Sequence, residues 1–149
     1  MTLGSVIDRH LTEGGRGLIH SIGQNEPGEM NAWFEKHIFP GSYPPTIREM
    51  TEIFEPYGFT IVDLENIRLH YAKTCEHWLS RYTTHEQEIA EMYDEEFVRA
   101  YRLYLAGSVS NFKTGGLQLF QVFFTRHRNN DIPWTRAYLY QDGSHDIKH

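Results

Sequence analysis

Histidine and cysteine are the residue types that most readily bind metals or act in catalysis. This 149-residue chain has nine histidines and one cysteine. His70 and His77 are seven residues apart, which is two turns of a helix, whereas helical zinc-binding pairs lie one turn apart. Cys75 has no second cysteine for a metal pair or an intrachain disulfide. We therefore predict no metal site, and the lone thiol favours a reducing cytoplasm.

His20 and Tyr71 are the individual residues that could act in catalysis. His20 lies in an apolar segment between Leu18 and Ile22, where a single histidine is more often a hydrogen-bonded core residue than a catalytic group. Tyr71 is one of nine tyrosines, and such a residue ordinarily packs its ring with the hydroxyl at the surface. The residue types alone leave a structural and a functional interpretation open for both.

The composition is that of one folded domain. Apolar residues make up 40% of the chain and charged residues 23%, which is enough material for a core and argues against disorder. The net charge of −6 disfavours a general nucleic-acid or anionic-membrane binder, because both partners require clustered Lys and Arg. The N-terminus lacks the pattern of a signal peptide, and no apolar stretch is long enough to cross a bilayer.

Apolar periodicity and turn residues predict an alternation of helices and strands. Helices are predicted over residues 3–12, 31–39, 46–54 and 70–82, then in a segment capped by Thr84 and in a longer one opened by Asp94. Strands are predicted over residues 17–23, 59–67 and 117–125. This order is typical of an α/β fold, and three strands make a narrow sheet whose edges should be exposed.

Four segments between about residues 8 and 125 carry a more specific pattern. They are Gly14-Gly15-Arg16 with 18–23, then 34–41, then 65–74 with Trp78 and Arg81, and finally Tyr101, Tyr104-Leu105, Asn111-Phe112 and 117–122. In this order they resemble the cyclopropane synthase family of S-adenosylmethionine-dependent methyltransferases, which includes the cyclopropane-fatty-acyl-phospholipid and mycolic acid cyclopropane synthases. Ser21, His37 and Cys75 depart from the usual Thr, Tyr and Leu of that family.

The resemblance implies a fold as well as a family. Segments 18–22, 59–66 and 117–125 would be the last three strands of a seven-stranded, Rossmann-like class I methyltransferase sheet, with the final strand antiparallel. Residues 1–142 would form the C-terminal half of that domain, and 143–149 a disordered polar tail. The family's glycine-rich cofactor turn follows a strand in the first half, whereas the glycines here precede one. No cofactor-binding residue is therefore expected in this chain.

The implied reaction moves a methyl group from S-adenosylmethionine to a cis double bond of a phospholipid acyl chain. A bound bicarbonate then removes a proton so that the cyclopropane ring closes. By resemblance, His20 and Tyr71 are the catalytic residues, His20 bonding the bicarbonate and Tyr71 donating its hydroxyl to it, while Ile22 contributes a backbone group. Metals are not implied. Some aromatic side chains should line the lipid pocket, drawn from Trp33, Phe34, Phe39, Trp78, Tyr101, Tyr104 and Phe112.

Several partners and alternatives remain open at this stage. The expected partners are phospholipid acyl chains, reached from the cytoplasmic face of the inner membrane, a separate N-terminal methyltransferase half, and a second copy of the chain in a homo-oligomer. Arg99, Arg102 and Lys113 could meet headgroups, although a solvated helix face is the simpler interpretation. The alternatives to a cyclopropane synthase are a non-catalytic, self-associating module and a related lipid methyltransferase that forms no ring.

Overall fold

The computed structural model describes residues 2–139 of the chain, so the predicted tail at 143–149 lies outside the described residues. The helices and strands, in chain order, are α1 (Leu3–His10), β1 (Arg16–Gly23), α2 (Ala32–His37), α3 (Ile47–Met50), β2 (Phe59–Asn66), α4 (Arg68–Thr84), α5 (Glu86–Met92), α6 (Glu95–Thr114) and β3 (Gln118–Arg126). Short 3-10 helices cover Thr51–Ile53, Glu55–Tyr57 and Arg136–Leu139. The predicted α/β order is confirmed.

The three strands form one sheet with β3 in the centre. β1 and β2 flank β3, and both run antiparallel to it. His20 lies opposite Gln121 in one pairing, and Glu65 lies opposite the same Gln121 in the other. β1 and β2 are therefore parallel to each other on either side of an antiparallel last strand, as the family resemblance implies.

A β-bulge explains how β2 serves the core. Phe59 and Leu64 are five positions apart, an odd spacing that would place them on opposite faces of a regular strand. The pairing register with β3 shifts between Ile61 and Asp63, and the extra residue at the shift returns Leu64 to the face of Phe59. Both side chains consequently pack in the same apolar cluster. The strand predicted over residues 59–67 is thus present, with a bulge that its apolar pattern did not indicate.

Helices cover both faces of the sheet. On one face, α1, α3 and the first two 3-10 helices pack against the buried residues Phe120, Val122 and Phe124 of β3. On the other face, α4 and α6 pack against each other and against Leu119 of β3. The second layer is incomplete, because it covers the start of β3 and leaves Leu18 on β1 58% exposed. This uncovered part of the sheet borders the candidate site.

Helix capping follows the sequence at three positions and departs from it at one. Thr46 and Glu49 form the predicted capping box of α3. The side chain of Asp94 accepts a hydrogen bond from the backbone of Phe97, so it caps α6 as predicted. Gly115 ends that helix in the left-handed region, at φ 85°. The predicted cap at Thr84 was wrong, since Thr84 is the last residue of α4 and its hydroxyl bonds back to the Arg81 carbonyl.

Candidate functional site

A pocket of about 400 Å³ opens between β1, β3 and the helices α2, α4 and α6. Its volume lies in the range of small-molecule sites. Its walls combine aromatic and aliphatic side chains with a few hydroxyl, thiol and imidazole groups. The lining residues are His20, Ser21, Ile22, Met30, Phe34, Phe39, Ser42, Tyr43, Pro44, Tyr71, Cys75, Tyr104, Ser108, Phe112, Leu117 and Leu119. We refer to it below as the sheet pocket.

His20 stands on the incompletely covered face of β1. Its side chain is exposed, so of the two interpretations left open by the residue pattern, that of a buried core histidine does not apply. The amide nitrogen of Gln121 lies 3.0 Å from His20 Nδ1, across the β1–β3 pairing. This contact holds the ring and, if the amide donates, makes Nδ1 the acceptor and leaves the proton on Nε2. Among residues 2–139, Nε2 has no hydrogen-bond partner of its own.

Tyr71 reaches the same pocket from the first turns of α4. Its ring centroid is 6.4 Å from that of His20, and the two rings meet edge to face. Phe112 and Trp78 pack on it at centroid distances of 5.0 and 5.8 Å. Burial raises the pKa of the Tyr71 phenol, with a smaller contribution from Cys75, so the hydroxyl keeps its proton at neutral pH. Within the described residues this hydroxyl has no hydrogen-bond partner.

The structure thus brings the two predicted residues together, one from β1 and one from α4. Ile22 completes the predicted set on the same strand and lines the pocket. Its carbonyl already accepts a hydrogen bond of 2.9 Å from the Ser21 hydroxyl. This geometry places a phenol O–H and an imidazole N–H, both hydrogen-bond donors, in a largely apolar pocket.

The apolar wall is formed by aromatic contacts between α2 and α6. Phe34 and Phe39 both pack edge to face on Tyr104, at centroid distances of 5.9 and 5.6 Å. Gly107 lies beside Phe34, where an added Cβ would come within 3.1 Å of the ring. The absence of a side chain at Gly107 therefore permits this close approach. Of the aromatics predicted to line a lipid pocket, Phe34, Phe39, Tyr104 and Phe112 line the sheet pocket, whereas Trp33, Trp78 and Tyr101 do not.

The wall also contains buried polar groups, of which only Tyr104 was predicted from the sequence to line a pocket, as an aromatic residue. Cys75 is 1% exposed, and burial raises the pKa of its thiol. Tyr104 has its pKa raised to about 12, chiefly by burial, and the Ser108 hydroxyl partly offsets that rise. Gln121 was also missed as the partner of His20. The alternation of β3 places Gln121 on the same face as Leu119. That pattern identifies Gln121 as the partner of His20 only once the β1–β3 register is known.

Other predicted groups take no part in the sheet pocket. His70 is exposed, and its ring has no hydrogen bond within residues 2–139. Arg102 pairs with Glu86, and Lys113 pairs with Glu76, as expected of a solvated helix face. In the described part of the chain, no cluster of three potential metal ligands occurs. No helix there is long and apolar enough to cross a membrane.

Comparison with known proteins agrees with this architecture. The family model described as mycolic acid cyclopropane synthetase matches residues 3–122. A cyclopropane synthase structure from Mycobacterium tuberculosis superposes with a TM-score of 0.75 at 24% identity, covering 83% of this chain and 50% of that one. A mycolic acid cyclopropane synthase complexed with SAH and CTAB gives the same TM-score at 23% identity, with the same coverage of both chains.

Sequence relatives extend the match. The cyclopropane-fatty-acyl-phospholipid synthase of Escherichia coli K12 is 33% identical over 129 residues, which are 86% of this chain and 34% of that protein. A probable fatty acid methyltransferase of Pseudomonas putida is 31% identical over 112 residues, 73% of this chain and 28% of its own length. The chain therefore spans about a third of the curated relatives that it matches. Because that family model matches more than half of the chain, the chain belongs to the mycolic acid cyclopropane synthetase family.

Proposed function

We propose that this chain supplies the acyl-substrate and bicarbonate side of a methyltransferase site that adds a methylene across a cis double bond of a phospholipid. The observation that carries the proposal is the meeting of His20 and Tyr71, 6.4 Å apart, at the polar end of an apolar pocket. An acyl chain needs apolar walls, and a small anion needs hydrogen-bond donors. The sheet pocket offers both next to each other.

The residues present fit a bound bicarbonate. Tyr71 offers an O–H donor with no partner in the described residues, and His20 offers Nε2 while Gln121 occupies Nδ1. No carboxylate lines the pocket itself in the described part of the chain. When bound, bicarbonate would supply a base for the proton that leaves during ring closure. The roles of His20 and Tyr71 are then to hold and orient that base, with Ile22 beside them, in a site from which the apolar walls exclude water.

We assign the binding of S-adenosylmethionine to a second methyltransferase half. The glycine-rich turn at Gly14 and Gly15 joins α1 to β1, so it precedes a strand and does not fit a cofactor loop. β1 is an edge strand in the described residues, and its outer side offers unpaired backbone groups for a neighbouring strand. Calorimetry of the isolated chain with S-adenosylmethionine should therefore detect no binding, and tight binding would contradict this assignment.

Substitutions at the two site residues test the catalytic assignment. In the complete enzyme, with the cofactor-binding half present, His20→Gln and Tyr71→Phe should lower turnover more than they raise the apparent substrate constant, because they remove groups that hold the base. Transfer of a labelled methyl group to vesicles containing a cis-unsaturated phospholipid measures this. His70→Gln is the matched control, since His70 is adjacent in sequence, exposed and outside the pocket. Unchanged turnover in His20→Gln and Tyr71→Phe would remove the assignment.

A self-associating module is the second candidate, and a specific feature favours it. Leu18, 58% exposed on the same edge strand, gives β1 an apolar side chain next to unpaired backbone groups. A homodimer formed through β1 would bury both. Light scattering of the purified chain distinguishes the candidates, because Leu18→Lys should convert a dimer of this kind into a monomer and leave a monomeric chain unchanged.

A further inference from the structure

We infer that the hydroxyl of Ser42 is a further ligand for the small oxyanion of the sheet pocket, an inference that rests on the proposed function. Ser42 Oγ is buried and has no hydrogen-bond partner, although the residue lines the pocket. Buried hydroxyl groups are nearly always paired, because leaving one unpaired costs free energy. An unpaired hydroxyl in a pocket wall therefore indicates a partner that enters the pocket.

The backbone at Ser42 is held in place by its own turn. The Ser42 N–H donates a hydrogen bond of 3.1 Å to the Phe39 carbonyl, which closes a four-residue turn. Pro40 and Gly41 occupy its centre, and Gly41 has φ 72°, as the second central residue of a type II turn requires. Pro44, which follows shortly after, is buried. The sequence thus fixes the position of Ser42 without using its side chain.

Apart from Tyr71, the hydroxyl groups of the pocket differ from that of Ser42, because each already has a partner within the protein. Ser21 donates to the Ile22 carbonyl, and Tyr43 donates to Glu49 at 2.8 Å. Ser108 interacts with the phenol of Tyr104. Their hydrogen-bonding capacity is already used within the protein. Ser42 is the serine of the pocket whose donor remains available in the described residues.

The chemistry of the partner follows from the groups around it. A hydrocarbon chain cannot accept a hydrogen bond, so the acyl part of a lipid would leave Ser42 unpaired. An oxyanion can accept several hydrogen bonds, and Ser42, Tyr71 and His20 all line this pocket and can donate them. A hydrogen bond to a charged acceptor is stronger than one between neutral groups. A planar anion with three oxygens, such as bicarbonate, suits three donors.

Titration of the full chain with sodium bicarbonate tests the inference. The 15N-labelled protein is followed by NMR at constant ionic strength, with sodium chloride as the blank. Ser42→Ala should weaken the apparent bicarbonate affinity by about tenfold, the loss expected for one hydrogen bond to a charged group. Ser21→Ala is the matched control, since Ser21 lines the same pocket and already has a partner, and its affinity should stay within about twofold of wild type.

The outcomes separate this inference from the proposal on which it rests. If wild type shows no saturable bicarbonate shifts, the anion site itself is wrong. If His20→Gln and Tyr71→Phe weaken binding but Ser42→Ala does not, the anion site stands and the Ser42 assignment is wrong, its hydroxyl serving an ordered water instead. Unchanged 15N spectra of Ser42→Ala outside the pocket, in the absence of bicarbonate, establish that the variant keeps its fold.

Discussion

The buried phenol of Tyr104 should make the free energy of unfolding fall at alkaline pH. Burial in the wall of the sheet pocket raises its pKa from 10.0 to about 12. Below pH 10 the phenol is protonated in both the folded and the unfolded chain, so it has no effect. Between pH 10 and 12 the unfolded chain releases the proton while the folded chain retains it, and stability therefore falls as pH rises. The full loss is roughly 2 to 3 kcal/mol at pH 12.

Urea unfolding at pH 9 and pH 11.5 measures this loss. Tyr104→Phe keeps the ring that contacts Phe34 and Phe39 but cannot ionise, so its stability should fall less than that of wild type between the two pH values. Ser108→Ala is the matched control, because it removes the interaction with the Tyr104 hydroxyl and leaves the phenol in place. It should keep a pH dependence at least as steep as that of wild type. Equal losses in wild type and Tyr104→Phe would refute the burial argument.

Two further substitutions test the framework of the site. Gly23→Ala should lower the free energy of unfolding by about 1 to 3 kcal/mol, because the new Cβ would lie 2.4 Å from the Pro45 carbonyl oxygen. Thermal unfolding measures this loss. Gly14→Ala is the control, since a Cβ at Gly14 would have no atom within 4 Å and should leave stability unchanged. Asp94→Ala should cost about 1 kcal/mol in urea unfolding, since it removes the 2.7 Å side-chain cap of α6. Asp94→Asn keeps a hydrogen-bond acceptor and should recover most of that loss; equal losses in both variants would mean that the charge of Asp94, and not its hydrogen bond, stabilises the helix.

Local features of the fold were predictable because single short signals determine them. The capping box at Thr46 and the cap at Asp94 need only one side chain and the backbone three residues on. The three strands needed only short apolar segments bounded by glycines or polar residues. The prediction that Thr84 caps α5 was wrong because α4 continues through Thr84, and α5 starts only at Glu86.

The layout of the site was predictable only in part, because it depends on strand register and helix packing. Family resemblance indicated His20 and Tyr71, but residue patterns gave no reason to join Gln121 to His20 or to leave Ser42 unpaired. Both facts arise only when the pairing of β1 with β3 and the turn at Gly41 are in place. A strand places alternate side chains on opposite faces, so a one-residue slip of β3 would turn Gln121 away from His20 and remove its partner. The chemistry of this pocket therefore depends on the sheet register as much as on the residues that line it.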